Sequence, residues 1–88
     1  MADNTKLLVL STGVSSHEID PTWDAAKAAL GGAMIEVIRL PGGAVLLVDE
    51  EGLLKGLKHN PMASDVARIH IVGPAVLVPS NLITAVLF

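Results

Sequence analysis

Residues 34–52 read MIEVIRLPGGAVLLVDEEG, in which two β-rich runs flank a Pro-Gly-Gly turn and an acidic turn follows. Glycine readily adopts the positive φ angles of tight hairpin loops, so this stretch predicts a β-hairpin with a three-residue loop at 41–43. In the first run Ile35 and Val37 lie on one side of the strand, and the opposite side is also largely apolar. This pattern predicts either a strand in the interior of the sheet or a sheet that is covered on both faces.

The residues before the hairpin predict one strand, a second extended segment and one main helix. Residues 6–10 form a compact apolar run, and residues 14–20 are either a short strand or an extended connector. Asp20 and Pro21 predict a helix start, because the carboxylate accepts from free backbone amides and proline suits the first turn. The helix is expected to end at Gly31-Gly32. Its narrow apolar stripe consists of Trp23, Ala26 and Leu30.

The residues after the hairpin are less regular. Residues 53–67 predict an irregular segment with apolar anchors, and residues 69–78 return to a strand pattern. Residues 82–88 form either a last strand or an apolar arm. The chain is therefore predicted to be one α+β domain over 1–88, with a small mixed or antiparallel sheet of four to five strands, one main helix and a central hairpin. In that domain residues 80–88 are either an added strand or an interaction arm.

The composition argues against several classes of site. The 88 residues have a formal net charge of −3 and contain no cysteine, so neither disulfides nor thiolate metal sites are expected. The six basic residues are scattered, and there are only one tryptophan and one phenylalanine. Nucleic-acid-binding proteins concentrate basic side chains on one surface and stack bases on aromatic rings. No nucleic acid is therefore expected as a partner.

Neither a secretion signal nor a membrane span is predicted. The first six residues, MADNTK, are polar and lack the order of a basic region followed by an apolar one. Residues 69–88 carry no formal charge over a length that would cross a bilayer, but Pro74 and Pro79 would break a helix twice. Two short strands fit this run better than a membrane helix does. The expected location is the cytoplasm.

Few residues offer catalytic chemistry. His70 alternates with two isoleucines in the predicted strand, and it would pair with Glu36 if both faced the same side of the sheet. A hydrolase or nuclease would need that pair in a cleft, whereas a structural or exposed histidine is the simpler interpretation. The serine-rich loop at 11–16 resembles a phosphate-cradling loop but has one glycine and no following lysine. No catalytic residue, cofactor or metal site is predicted.

The apolar C-terminal segment is the strongest interaction candidate. An uncharged, β-prone segment left at an open sheet edge is an aggregation hazard, so it is expected either to complete its own sheet or to add a strand across a subunit interface. A second apolar group, in the segment 53–67, is either a lid over the sheet or a partner-binding patch. The candidate interaction residues are Leu82, Ile83, Val86, Leu87 and Phe88, and the second group is Leu53, Leu54, Leu57 and Met62.

Several short phrases of the sequence occur in a distinctive order. They are GG at 31–32, IEV at 35–37, VDEEG at 48–52, LKGL at 54–57 followed by Asn60, and IVGPAV at 71–76. Over residues 6–79 this order resembles the domain of unknown function 3846, found in small proteins of phages, plasmids and other mobile elements. The Ala-, Gly- and Val-rich composition suits a phage of a high-GC host such as an actinobacterium.

The resemblance implies a biological context, since this family has no established activity to carry over. That context is a dispensable phage gene product in the cytoplasm of a bacterial host, and such proteins often bind a host or defence component. The leading hypothesis is a non-enzymatic accessory protein that binds a host or phage protein and forms a homodimer through its strands or its C-terminal segment. The alternative is a small-ligand protein that sequesters a nucleotide or metabolite, suggested by the loop at 11–16.

Overall fold

The computed structural model describes residues 5–13 and 15–88 and contains a five-stranded antiparallel sheet with three helices. The strands are β1 (Leu7–Leu10), β2 (Ser16–Ile19), β3 (Ile35–Arg39), β4 (Val45–Asp49) and β5 (Ala75–Val78). The helices are α1 (Trp23–Ala29), α2 (Pro61–Ala67) and α3 (Ile83–Leu87), and a 3-10 turn at Ser80–Leu82 leads into α3. The α+β class and the antiparallel sheet are confirmed, whereas the prediction of one main helix is wrong. The predictions for residues 1–4 and for Val14 lie outside the described residues.

The predicted central hairpin is present and joins β3 to β4. The two strands pair antiparallel with Val37 opposite Leu47. Gly42 and Gly43 have φ angles of 88° and 95°, which explains why glycine occupies this loop. The full strand order is β2-β1-β5-β4-β3, so the last strand of the chain lies in the middle of the sheet.

β3 is an edge strand, so its predicted interior position is wrong. The interior strand of the hairpin is β4, which is buried along its whole length. In β3, by contrast, Val37 is 46% exposed, and Glu36 and Arg39 are also exposed. Apolar residues occur on both sides of β3 because the sheet is covered on both faces, which is the alternative that the sequence allowed.

Each face of the sheet packs against its own helices. On the first face the strands meet α1 and α3, and on the second face they meet α2. Successive residues of β4 alternate between the two cores, as the strand period of two requires. The first core contains Leu7, Val9, Ala26, Leu30, Val45, Leu47, Val76, Val78 and Val86, and the second contains Leu10, Leu46, Val48, Ala63, Ile71 and Ala75.

The predicted first helix exists but begins two residues later than expected. Thr22 is its N-cap, with Oγ1 accepting a 3.1 Å hydrogen bond from the amide of Ala25. Asp20 instead accepts a 2.7 Å hydrogen bond from Nζ of Lys6, an exposed ion pair that contributes little to stability. Of the predicted apolar stripe, Ala26 and Leu30 are buried, whereas Trp23 is half-exposed.

The segment predicted to be irregular contains α2, and the strand predicted at 69–78 is shorter than expected. Asn60 caps α2 through Oδ1, which accepts from the amide of Ala63, and a proline occupies the first helical position. Gly73, at φ 77°, interrupts the extended run. Regular strand pairing is therefore confined to β5, with an isolated bridge between His59 and Val72.

The C-terminal segment forms a helix where an added strand was one of the two expectations. Pro79 follows β5 directly and lacks the amide that a continuing strand would donate. The chain turns there through the 3-10 segment, and α3 lies on the first face with Val86 buried. Over residues 5–13 and 15–88, no helix combines the length and the apolar character that a bilayer crossing needs.

Candidate functional site

A groove of about 730 Å³ lies between β3 and α3 and is here called the C-terminal groove. Val37 and Arg39 of β3 form one wall, and Ile83 and Leu87 of α3 form the other. Phe88, directly after α3, also lines the groove, and the hairpin loop closes one end. The groove therefore lies at the margin of the first face, where the sheet meets its edge strand.

The α3 wall of the groove is a short helix that buries little of its apolar surface. Only Val86 of this five-residue helix is buried, and the neighbouring apolar side chains remain partly open. Phe88 is 95% exposed, the highest exposure among the large apolar side chains described. Val37, on the opposite wall, is left half-exposed by the same helix. Both walls thus expose apolar side chains to water.

Arg39 has the only charged side chain among the residues that line the groove. The two ion pairs in the described part of the chain are Lys6–Asp20 and Lys55–Asp49, so Arg39 has no carboxylate partner there. Its guanidinium offers donors to a carboxylate or another planar anion. The groove therefore combines apolar walls with one unpaired cation.

The structure divides the predicted C-terminal interaction residues. Ile83, Leu87 and Phe88 line the C-terminal groove, while Val86 is buried in the first core and Leu82 packs half-buried against it. The groove residues of β3 were not predicted as part of a site. Helical rather than extended geometry after Pro79 is what brings α3 beside β3, and the period-two pattern gave no signal of it.

Glu36 and His70 line one small cleft of about 120 Å³, as the sequence considered. His70 lies in the loop after α2 and not in a strand, so the assumed strand alternation is wrong. Within the described residues no hydrogen bond joins the two side chains. The imidazole of His70 instead stacks on that of His59, with ring centroids 4.7 Å apart and an angle of 7° between the planes. No short-range pattern indicates this stack.

The cleft offers little room for chemistry. Its volume holds a few water molecules at roughly 30 Å³ each, whereas small-molecule sites measure about 300–1,000 Å³. Parallel imidazole rings direct their nitrogen lone pairs side by side rather than toward one ion. Residues 5–13 and 15–88 contain no group of three or more His, Asp or Glu side chains that could hold a metal ion.

Asp49, at the margin of the same cleft, is committed to local structure. Its carboxylate accepts 2.8 Å hydrogen bonds from Nζ of Lys55 and from the amide of Glu51, and its side chain is 6% exposed. The hydrogen bond from Lys55, followed by that from Glu51, holds the pKa of Asp49 below its ordinary value against the opposing effect of burial. The same contact raises the pKa of Lys55. This pair closes the turn after β4.

The second apolar group is divided between the second core and the exposed surface. Met62 packs on the second core as a lid, whereas Leu53 and Leu54 are 75% and 88% exposed.

In the loop at 11–16 the hydroxyl of Ser11 hydrogen-bonds to the backbone oxygen and to Oγ of Ser15, at 2.8 and 2.7 Å. These hydroxyls are used within the loop, and Val14 lies outside the described residues.

The family model described as domain of unknown function (DUF3846) matches residues 5–82, which is most of the chain. The chain belongs to the DUF3846 family. The match extends from the start of β1 through the 3-10 turn and stops directly before α3, so one wall of the C-terminal groove lies outside it. Searches of curated proteins and of solved structures found no match. The description of the family names no activity or ligand.

Proposed function

We propose that this DUF3846 chain is a non-enzymatic accessory protein of a phage or another mobile element, and that it acts in the host cytoplasm by binding a host or phage protein. The observation that carries the proposal is the C-terminal groove with Phe88 at its margin. Grouped exposed apolar side chains on a small protein are typical of binding surfaces, because leaving them in water has a free-energy cost that a partner removes.

The groove's residue types favour a protein as the partner. Interface cores are enriched in aromatic side chains and arginine, and truncating such residues causes the largest losses of binding energy. Phe88 would enter a pocket on the partner, and the apolar walls would receive a side chain from it. Unpaired Arg39 favours a partner that places a carboxylate beside its apolar contact residue.

Affinity capture with matched variants tests this function. The bait is the full chain with an N-terminal tag, presented to lysate from bacteria that carry the mobile element. Phe88→Asp places a charge in the groove, and Leu54→Asp places the same charge on a leucine that is 88% exposed and lies outside the groove. Both positions are exposed, so neither variant is expected to change folding.

We expect wild type and Leu54→Asp to retain the same protein, and Phe88→Asp to retain it more than about tenfold less, the loss typical of a central interface residue. Equal retention by Phe88→Asp and wild type would show that the groove is not the contact surface. If wild type retains no protein above the level of the tag alone, the proposed function is wrong.

The groove also supports a second candidate, the binding of a small molecule. Its volume of about 730 Å³ lies within the range of small-molecule sites, and a mostly apolar lining with one polar anchor is typical of them. The ligand would have an apolar body and an anionic group directed to Arg39. Native mass spectrometry of protein purified from its host would show a retained mass that Arg39→Met loses. A spectrum with the mass of the bare chain only would contradict this candidate.

A further inference from the structure

The free edge of β3 carries backbone groups with no partner in the described part of the chain. Two backbone hydrogen bonds lie just beyond the ends of the β3–β4 ladder: the amide of Leu40 donates to the carbonyl of Ala44, and the amide of Glu50 donates to the carbonyl of Met34. In this register the even-numbered residues of β3 are the ones whose backbone groups bond to β4. Because bonding alternates along an antiparallel strand, the amides and carbonyls of Ile35, Val37 and Arg39 point away from the sheet. These residues present a template for another strand.

The two edges of the sheet differ in how they are protected. At the β2 edge the side chains of Ser16, His17 and Glu18 are polar and exposed. At the β3 edge the exposed charged residues Glu36 and Arg39 alternate with exposed apolar ones, of which Met34 is 63% exposed and Val37 is 46% exposed. Charged and polar side chains discourage strand pairing, whereas exposed apolar side chains favour it. The β3 edge is therefore the one suited to association.

We propose that β3 pairs antiparallel with the β3 strand of a second copy of this chain, in a symmetric register centred on Val37. Val37 then lies opposite Val37 of the other copy, and Ile35 lies opposite Arg39. All three outward-facing residues form hydrogen-bonded pairs in this register. The contact is isologous, as in most soluble homodimers. This inference goes beyond the partner-binding function and does not depend on it.

Charge and chain direction select this register among the neighbouring ones. A register centred on Glu36 would place the two Glu36 carboxylates directly opposite each other. A register centred on Arg39 would place the two Arg39 guanidinium groups opposite each other in the same way. Like charges directly opposite each other on neighbouring strands are destabilising. A register centred on Ile38 would bring Pro41, which has no amide to donate, opposite Ile35. Centring on Val37 places each charged residue opposite an aliphatic one.

The pairing would also combine the two C-terminal grooves. A continuous antiparallel sheet with two identical edges has its two-fold axis perpendicular to the sheet, so both copies keep the first face on the same side. Val37 is part of the groove wall and also the centre of the proposed contact. The two grooves would therefore open toward each other across Val37, with one α3 helix on each side. A partner could contact both copies at once.

The size of the contact predicts a reversible dimer. A five-residue strand is about 17 Å long. Pairing two such edges with their flanking apolar side chains buries on the order of 1,000 Å² in total, near the lower limit for a specific interface. We therefore expect the dimer to dissociate on dilution, which sedimentation velocity over a concentration series would detect.

Single-cysteine variants test the register directly, because the chain contains no cysteine. In the proposed pairing the two Val37 Cα atoms lie about 5.5 Å apart, within the range of about 4.4–6.8 Å that a disulfide accepts. From the spacing between strands and the rise per residue, the two Glu36 Cα atoms would lie about 8 Å apart. His17→Cys on the β2 edge is a matched exposed control.

We expect Val37→Cys to form a disulfide-linked dimer under mild oxidation at least about tenfold faster than Glu36→Cys or His17→Cys, since only at Val37 does the register place the two Cα atoms within disulfide range. If either control is linked as fast as Val37→Cys, the proposed register is wrong. A wild-type chain that sediments as a monomer at every concentration would overturn the proposal itself.

Val37→Lys tests the dimer without a crosslink, because it leaves the backbone unchanged and places two ammonium groups opposite each other. We expect this variant to sediment as a folded monomer, with His17→Lys behaving as wild type. A dimer that persists in Val37→Lys would refute pairing through β3. Partner capture and dimerisation are measured independently. If Phe88→Asp loses the partner but still forms the dimer, the groove is the partner's contact surface and the dimer proposal is unaffected. If the wild-type chain captures the partner as a monomer, the proposed function is supported and the dimer proposal is wrong.

Discussion

Replacing Asn60 with alanine should remove the most important polar contact of the fold. This fully buried side chain donates from Nδ2 to the carbonyl oxygens of Leu10 and Gly73, at 2.9 and 2.8 Å, and accepts from the amide of Ala63 at 3.0 Å. It thereby connects the end of β1, the loop before β5 and the start of α2. Each buried group left without a partner costs about 1–3 kcal/mol.

The expected loss in unfolding free energy is about 3–5 kcal/mol for Asn60→Ala, because three buried groups lose their partner at once and water entry or relaxation offsets part of that. A chain of 88 residues has a total stability of roughly 4–13 kcal/mol at 0.05–0.15 kcal/mol per residue. At the lower end of this range the variant would be near the limit of folding at room temperature, and at the upper end it would remain folded.

Urea denaturation followed by circular dichroism measures this loss. With a slope of about 1–1.5 kcal/mol per molar for a chain of this size, the midpoint should fall by roughly 2–5 M. Thr22→Ala is the matched control, because the Thr22 side chain caps α1 through a single exposed hydrogen bond from the amide of Ala25. Losing this cap should lower the free energy of unfolding by about 1 kcal/mol. If Asn60→Ala destabilises the protein no more than Thr22→Ala does, the argument that Asn60 joins three segments is wrong.

Acid should weaken the turn after β4. Because the pKa of Asp49 is lowered in the folded protein, the stability that its carboxylate contributes is fully present above its unfolded pKa of about 3.9 and is lost as the pH falls through the folded pKa. Asp49→Asn should therefore flatten the acid limb of a curve of unfolding free energy against pH, measured by urea denaturation. An acid limb that is unchanged in this variant would contradict the argument. Gly73→Ala should cost a few kcal/mol, since an added Cβ would approach Cδ1 of Leu57 to 2.6 Å at a φ of 77°. Thermal unfolding of Gly73→Ala compared with Gly56→Ala, whose added Cβ meets no atom within 4 Å at a similar φ, separates the clash from the backbone cost.

The parts of the fold that the sequence predicted are those encoded by short-range patterns. The hairpin loop follows from its two glycines, and the end of α1 follows from the earlier glycine pair at 31–32, because positive φ angles are a local property. The start of α2 is also encoded locally, by Asn60 followed by Pro61, although residues 53–67 as a whole predict an irregular segment. Strand order was not predictable, since an alternating pattern does not specify which neighbour a strand pairs with.

The candidate site was predicted only in its composition. The C-terminal segment was identified as an apolar surface because it has no charge, yet its helical geometry depends on how α3 packs against the first core. That packing lies beyond the reach of local patterns, so the contribution of Val37 and Arg39 was missed. The stack of His59 on His70 is likewise a tertiary contact between residues eleven positions apart.

Amide hydrogen exchange, measured residue by residue at low and at high protein concentration, tests most directly whether the β3 margin is the binding face. The amides of Ile35, Val37 and Arg39 should exchange rapidly in dilute protein and slow markedly at high concentration, while the β2 edge stays unchanged. Equal exchange at the two concentrations for these three amides, or slowing that appears at β2 instead, would contradict the account.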